Sequence, residues 1–179
     1  MSTKLKVAFL MDPLEKLDLK GDTSFALAHE AQERGHIIHH FTPDALILRS
    51  NKVLANICKF ELDIENGFNN YKYHEKNIQL LSDFDIVLMR QDPPFDMSYI
   101  TATHLLEKLP KKTIVVNNPF EVRNAPEKIF VTNFPHLMPD TLITKDINVI
   151  KSFRDEFQDI IIKPLYGNGG QGVFHLKPN

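Results

Sequence analysis

Short apolar runs alternate with amphipathic stretches along most of this chain, the pattern of an α/β protein. Leu5–Met11 (LKVAFLM) is hydrophobic on both faces of a would-be strand, as expected for a strand buried in a parallel sheet. After the polar excursion Asp12–Asp22, an apolar stripe on Phe25, Leu27, Ala28 and Ala31 predicts a helix. Asp22 or Thr23 can cap its start, and Gly35 stands where a left-handed terminal residue belongs. His36–Phe41 is the next strand, so this β-α-β unit predicts a right-handed crossover within a parallel sheet.

Leu46–Leu62 alternates around Ser50-Asn51 as an antiparallel hairpin would, and Asp63–Asn77 is a weakly patterned excursion. Strand Phe84–Met89, a helix on Ala102, Leu105, Leu106 and Leu109, and strand Thr113–Val116 continue the series. A boundary falls near Pro119–Asn124, dividing a domain at 1–121 from the beginning of another at 122–179. Past it come a short helix opening near Pro126, a strand around Thr141–Thr144 and a helix on Ile147, Ile150, Phe153 and Phe157. This second block has too few elements to bury a core of its own.

The last of these elements carries the sharpest chemistry. DIIIKPLYGNGGQGVF reads as a strand, a lysine, a glycine-dense loop and a second strand. Gly167, Gly169, Gly170 and Gly172 are four of the seven glycines in the chain, so backbone freedom is concentrated here. Successive N–H groups without side chains can approach anionic oxygens, and Lys163 adds a positive charge. Gly167, Gly169 and Gly172 match G-x-G-x-x-G, but a dinucleotide fingerprint requires a helix straight afterwards, and Val173–Leu176 reads as strand. No Gly-Lys-Ser/Thr follows either, which excludes a Walker loop. A glycine hairpin closing over nucleotide phosphates remains, beside the plainer alternative of a loose surface turn.

Three strands end in polar loops, bringing Asp12, Arg90, Asp92, Asn117 and Asn118 to one rim of the sheet. Open α/β sheets bind ligands outside the carboxyl ends of their strands. Such a rim suits a small molecule bearing carboxylate and ammonium groups, with the fork of Arg90 on the carboxylate. The alternative is that Arg90 and Asp92 pair with each other. His36, His39 and His40 form H-x-x-H-H, yet on a strand they split between faces and do not converge on a metal, which favours a partly exposed edge. Cys58, the only cysteine, excludes an internal disulfide, suits a reducing cytoplasm and reads as a small packed residue. A net charge of −2 gives no reason to expect nucleic acid or an anionic membrane as partner, and no apolar run approaches a signal peptide or a membrane span.

Four blocks, VAFLMDPLEKLDLKGDTSFAL, VLMRQDPPFDMSYITATHLLE, VVNNPFEVRNAPEKIFVTNFP and DIIIKPLYGNGGQGVF, together resemble the N-terminal portion of prokaryotic glutathione synthetases. The resemblance spans essentially the whole chain and is thinnest over residues 46–77. It implies an open, mainly parallel, Rossmann-like α/β domain of the kind that precedes ATP-grasp domains, then the start of an ATP-grasp domain. The implied reaction joins γ-glutamylcysteine to glycine with ATP and Mg2+, through an acyl phosphate. Lys128 in RNAPEK and Lys163 in IIIKP match nucleotide-contacting lysines of the family, and Gly167, Asn168, Gly169 and Gly170 match its loop over the phosphates. Arg90 falls in a segment kept near the dipeptide, with Asp92, Asn117 and Asn118 as further substrate-side candidates and Lys20 and Ser24 in another such block. The family's metal ligands, adenine pocket and glycine-binding segment match nothing up to Asn179, so no catalytic or metal residue is assigned and the chain is expected to be inactive alone. Homo-oligomers are implied by the family. Two alternatives stay open: another ATP-grasp carboxylate–amine ligase, and a non-catalytic binding module.

Overall fold

The computed structural model describes residues 3–64, 70–167 and 169–178. Contacts divide it into two compact units, one of residues up to Asp92 plus Met97–Arg123, the other of Pro93–Asp96 plus residues from Asn124 onward.

In the first unit, β1 (Lys6–Leu10) is followed by α1 (Thr23–Glu33) and β2 (Ile37–Phe41). The carboxylate of Asp22 accepts the N–H of Phe25 at 2.7 Å and starts α1, since first-turn amides have no partner within a helix. Gly35, at φ +82°, ends it; its N–H reaches the Gln32 carbonyl and that of His36 the Ala31 carbonyl, a Schellman ending. β1 and β2 run parallel, Val7 opposite Ile38 and Phe9 opposite His40.

β3 (Leu46–Arg49) and β4 (Lys52–Leu62) form the expected hairpin. Ser50 and Asn51, at φ 48° and 59°, both adopt the left-handed conformation of a two-residue turn whose twist matches the strands. β5 (Tyr71–Tyr73), where the sequence suggested only an excursion, and β6 (Asn77–Leu80), to which it assigned no strand, then pair with β4. β7 (Ile86–Met89), α2 (Met97–Leu106), β8 (Ile114–Val116) and α3 (Pro119–Asn124) complete the unit.

The sheet runs β3-β4-β2-β1-β7-β8, with β5 and β6 also on β4. It is a curled, mixed sheet, which corrects the expectation of a mainly parallel one. Only β2, β1, β7 and β8 are mutually parallel. The long β4 returns through a tight turn to the outer side of β2, and a hairpin return is necessarily antiparallel. That addition makes β2 an interior strand. His39 and His40 are therefore buried, and the partly exposed histidine edge expected from the sequence does not occur.

The pleat of β1 feeds two cores. Val7, Phe9 and Met11 pack with Phe25, Ala28, Ile38 and Phe60 on the α1 face. Ala8 and Leu10 pack with Phe41, Ile57, Phe84, Val87, Met89 and Leu106 on the α2 face. Each large side chain fully buried here contributes about 1.5–3 kcal/mol of hydrophobic stabilisation. Leu27, assigned to the stripe of α1, is 46% exposed, so the buried face is narrower than its spacing suggested. Arg123 joins α3 to α2 by donating to Thr103 Oγ1 at 3.2 Å and to Glu107 at 3.0 Å.

The second unit contains α4 (Glu127–Phe130), α5 (Ile147–Phe157) and the antiparallel pair β9 (Ile160–Ile162) and β10 (Phe174–Leu176). Asp146 caps α5 through the N–H of Asn148. The strand expected at Thr141–Thr144 does not form: β9 and β10 pair with each other, and a strand requires a partner for its backbone. Among the described residues of this unit Ile160 is buried, whereas Phe130, Phe134, Leu137, Ile161 and Phe174 are exposed. No helix among the described residues is long and apolar enough to cross a membrane.

Candidate functional site

Strand register assembles the rim. Leu10 pairs with Met89 and Leu88 with Val116, so the carboxyl ends of β1, β7 and β8 are neighbours; Arg90 and Asn117 follow them directly and Asp12 follows one residue later. Arg90 does not pair with Asp92 through an ion pair. Its Nε donates to Ser24 Oγ at 3.1 Å and its Nη2 to Thr23 Oγ1, which fixes the fork against the first turn of α1 while leaving further N–H groups for an incoming oxygen. Thr23 is thus a support that sequence reasoning read only as a possible cap, while Ser24 stood there only in a block of family resemblance.

Asp12 Oδ2 accepts the backbone N–H of Asp92 at 3.2 Å and ties the loops after β1 and β7 together. Partial burial, then the nearby Asp12 and Asp22 carboxylates, raise the carboxyl of Asp92 above the ordinary range, with Arg90 pulling in the opposite direction. One cation among three carboxylates favours a ligand that carries charge of both signs. Asn117 and Asn118 are exposed beside this group; Asn118 Oδ1 accepts the N–H groups of Phe120 and Glu121 and so begins α3. Lys20 is exposed on the loop before α1. A groove of about 540 Å3 opens beside the starts of β1 and β2, between Lys4, Gln32, His36 and Tyr71, and shares no residue with the rim.

In the second unit, Lys128 is half-buried on α4 and its Nζ donates to the carbonyl of Gly167, 39 residues away. Lys163 is exposed directly after β9. Gly169, Gly170 and Gly172 have φ of +58°, +75° and +70°, the left-handed conformations that glycine adopts without strain. Asn168 lies outside the described residues. Lys128 thus contacts the start of the glycine loop, and Lys163 precedes that loop in the chain. Among the described residues no group of three or more His, Cys, Asp or Glu side chains stands ready to hold a metal ion.

Residues 5–123 match the model of the prokaryotic glutathione synthetase N-terminal domain, and residues 127–179 that of its ATP-grasp domain. The chain belongs to the prokaryotic glutathione synthetase family. It is 58% identical over 173 residues to the glutathione synthetase of Mesorhizobium japonicum, covering 97% of this chain and 55% of the relative. Identity to the glutathione synthetase of Brucella melitensis is 56% over 172 residues, covering 96% of this chain and 55% of that protein. The glutathione synthetase of Vibrio parahaemolyticus is 41% identical over 177 residues, covering 98% of this chain and 55% of the relative. The chain therefore spans about half the length of the curated relatives it matches.

Proposed function

We propose that this chain provides the dipeptide-binding unit and the opening of the nucleotide-binding unit of a glutathione synthetase, with residues 1–121 as the former and 122–179 as the latter. The observation that carries the nucleotide assignment is the meeting of Lys128 with the Gly167 carbonyl, which draws a cation onto the glycine loop. On the other unit, the fork of Arg90 receives a carboxylate of γ-glutamylcysteine, and Asp12 and Asp92 receive its ammonium group. Asn117 and Asn118 line the same rim.

The chemistry follows from the weakness of a carboxylate as an electrophile. A cysteinyl carboxylate oxygen attacks the γ-phosphorus of ATP, the bond to the bridging oxygen breaks, and ADP leaves with that electron pair. The glycine amine then adds to the carbon of the acyl phosphate and loses a proton, and phosphate departs as the amide forms. Lys128, Lys163 and the N–H groups around Gly167, Gly169 and Gly170 stabilise phosphate charge by position rather than by covalent chemistry.

Calorimetric titration of the chain with ATP and with γ-glutamylcysteine tests this reading. Saturable uptake of each supports it. Absence of uptake of both by a folded chain overturns it, and uptake of ATP without γ-glutamylcysteine favours a ligase with another substrate.

A further inference from the structure

Two side chains outside the rim grip the loop that carries Asp12. From β5, the hydroxyl of Tyr73 accepts the N–H of Leu14 at 3.2 Å. From β2, Nε2 of His40 donates to the carbonyl of Met11 at 3.1 Å. The two rings lie 5.3 Å apart, and Phe60 flanks both at 6.3 Å from His40 and 6.1 Å from Tyr73. Asp12-Pro13 is therefore held on each side by a ring anchored in the core, and Asp12 in turn holds the N–H of Asp92.

Hydrophobic residues could fill this space without any cost of burying polar atoms. Instead the polar atoms of both rings point at the loop backbone. Burial lowers the proton affinity of the His40 ring, while hydrogen bonding to the backbone of Met11 and Asp12 opposes that shift. The same burial raises the Tyr73 hydroxyl far above its ordinary value, so it stays protonated.

We propose that His40 and Tyr73 are positioning residues: by clamping Met11–Leu14 they place the Asp12 carboxylate under the Asp92 amide and so shape the rim for its ligand. The part concerning the ligand rests on the reading of that rim as the dipeptide site. Neither ring touches Asp92, so an effect there reports transmission through Asp12 rather than local damage.

The experiment is amide hydrogen exchange on the full chain with Tyr73→Phe, which keeps the ring, and with His40→Leu and His40→Gln, of which the second retains an N–H donor. Loss of the clamp accelerates exchange of the Leu14 and Asp92 amides by about tenfold, the effect of one lost hydrogen bond. The Arg90 amide, bonded to the Leu10 carbonyl at 2.8 Å, keeps its wild-type rate, and His40→Gln stays close to wild type. An unaltered Asp92 amide in both Tyr73→Phe and His40→Leu overturns the proposal. Equal acceleration at Asp92 and Arg90 overturns it too, since general loosening then explains the data. A parallel titration with γ-glutamylcysteine shows weaker binding in Tyr73→Phe than in wild type. Failure of the wild-type chain to bind the dipeptide removes the ligand from the proposal and the rim reading with it, while the exchange rates judge the clamp by themselves.

Discussion

Lys128 Nζ donates to the main-chain carbonyl of Gly167, so a lysine on a single-turn helix holds the start of a glycine loop 39 residues later in the chain. The bond gives the loop a fixed origin and brings a cation to its base. A phosphate entering there competes with a neutral carbonyl for an ammonium group, and the charged acceptor makes the stronger bond.

Lys128→Ala removes both the anchor and the charge. ATP affinity is expected to fall by tenfold or more, on the scale of a lost hydrogen bond to a charged group, roughly 1.5–3 kcal/mol. Calorimetry against the wild-type chain measures this. Equal affinity would show that the lysine serves the loop alone.

The glycines of the loop are not equivalent. A Cβ at Gly172 would meet Pro164 Cγ at 2.8 Å, and the residue also sits at φ +70°. At Gly169 the same atom meets nothing within 4 Å, and only φ +58° opposes it. Gly169→Ala should therefore cost about 1–2 kcal/mol in the local opening of the β9–β10 hairpin, and Gly172→Ala more. Amide exchange of His175 and Leu176 compares the two, and a larger effect at Gly169 would contradict the geometry.

Much of the first unit was legible because local chemistry decides it. Asp22 as cap, Gly35 as terminator and Ser50-Asn51 as turn each act within a few residues of themselves. What escaped was set by distant partners. Nothing within Asn77–Leu80 announces a strand; β4 supplies the template that makes it one. The histidines of β2 looked like edge residues because their burial depends on which side of β2 the returning hairpin joins. At the site, the rim could be read from strand ends, whereas Lys128 stood out only through family resemblance, since a helical lysine ordinarily faces solvent. The bonds of Thr23 and Ser24 to Arg90 were obscured because Arg90 lies 67 and 66 residues away.

Arg90→Lys tests whether the fork matters beyond its charge. Lysine keeps the cation but cannot bond Ser24 and Thr23 while meeting both oxygens of a carboxylate. Binding of γ-glutamylcysteine is expected to weaken by about tenfold or more, with little change in ATP affinity. Undiminished dipeptide binding would remove Arg90 from the substrate side of the rim.

Acid should destabilise the first unit through its two interior histidines. Burial is the main cause lowering the proton affinity of both His39 and His40, opposed by the backbone near Ile37 for the former and near Met11 and Asp12 for the latter. Lys6 and Lys59 lower His39 further, and Lys76 acts likewise on His40 against a weaker pull from Glu15. Unfolded, each ring takes up a proton as pH falls through its ordinary value of 6.5. The folded protein resists, so below that point the unfolded state binds more protons and stability rises with pH. The stabilisation is complete above the unfolded value and is lost as pH falls through it towards the lower folded values. Urea midpoints should decline between about pH 7.5 and about pH 5.5, before most carboxylates titrate. His40→Gln, which keeps a donor to Met11 without a titrating ring, should flatten part of that slope. A midpoint that holds steady or rises on acidification would mean that these rings are protonated inside the fold.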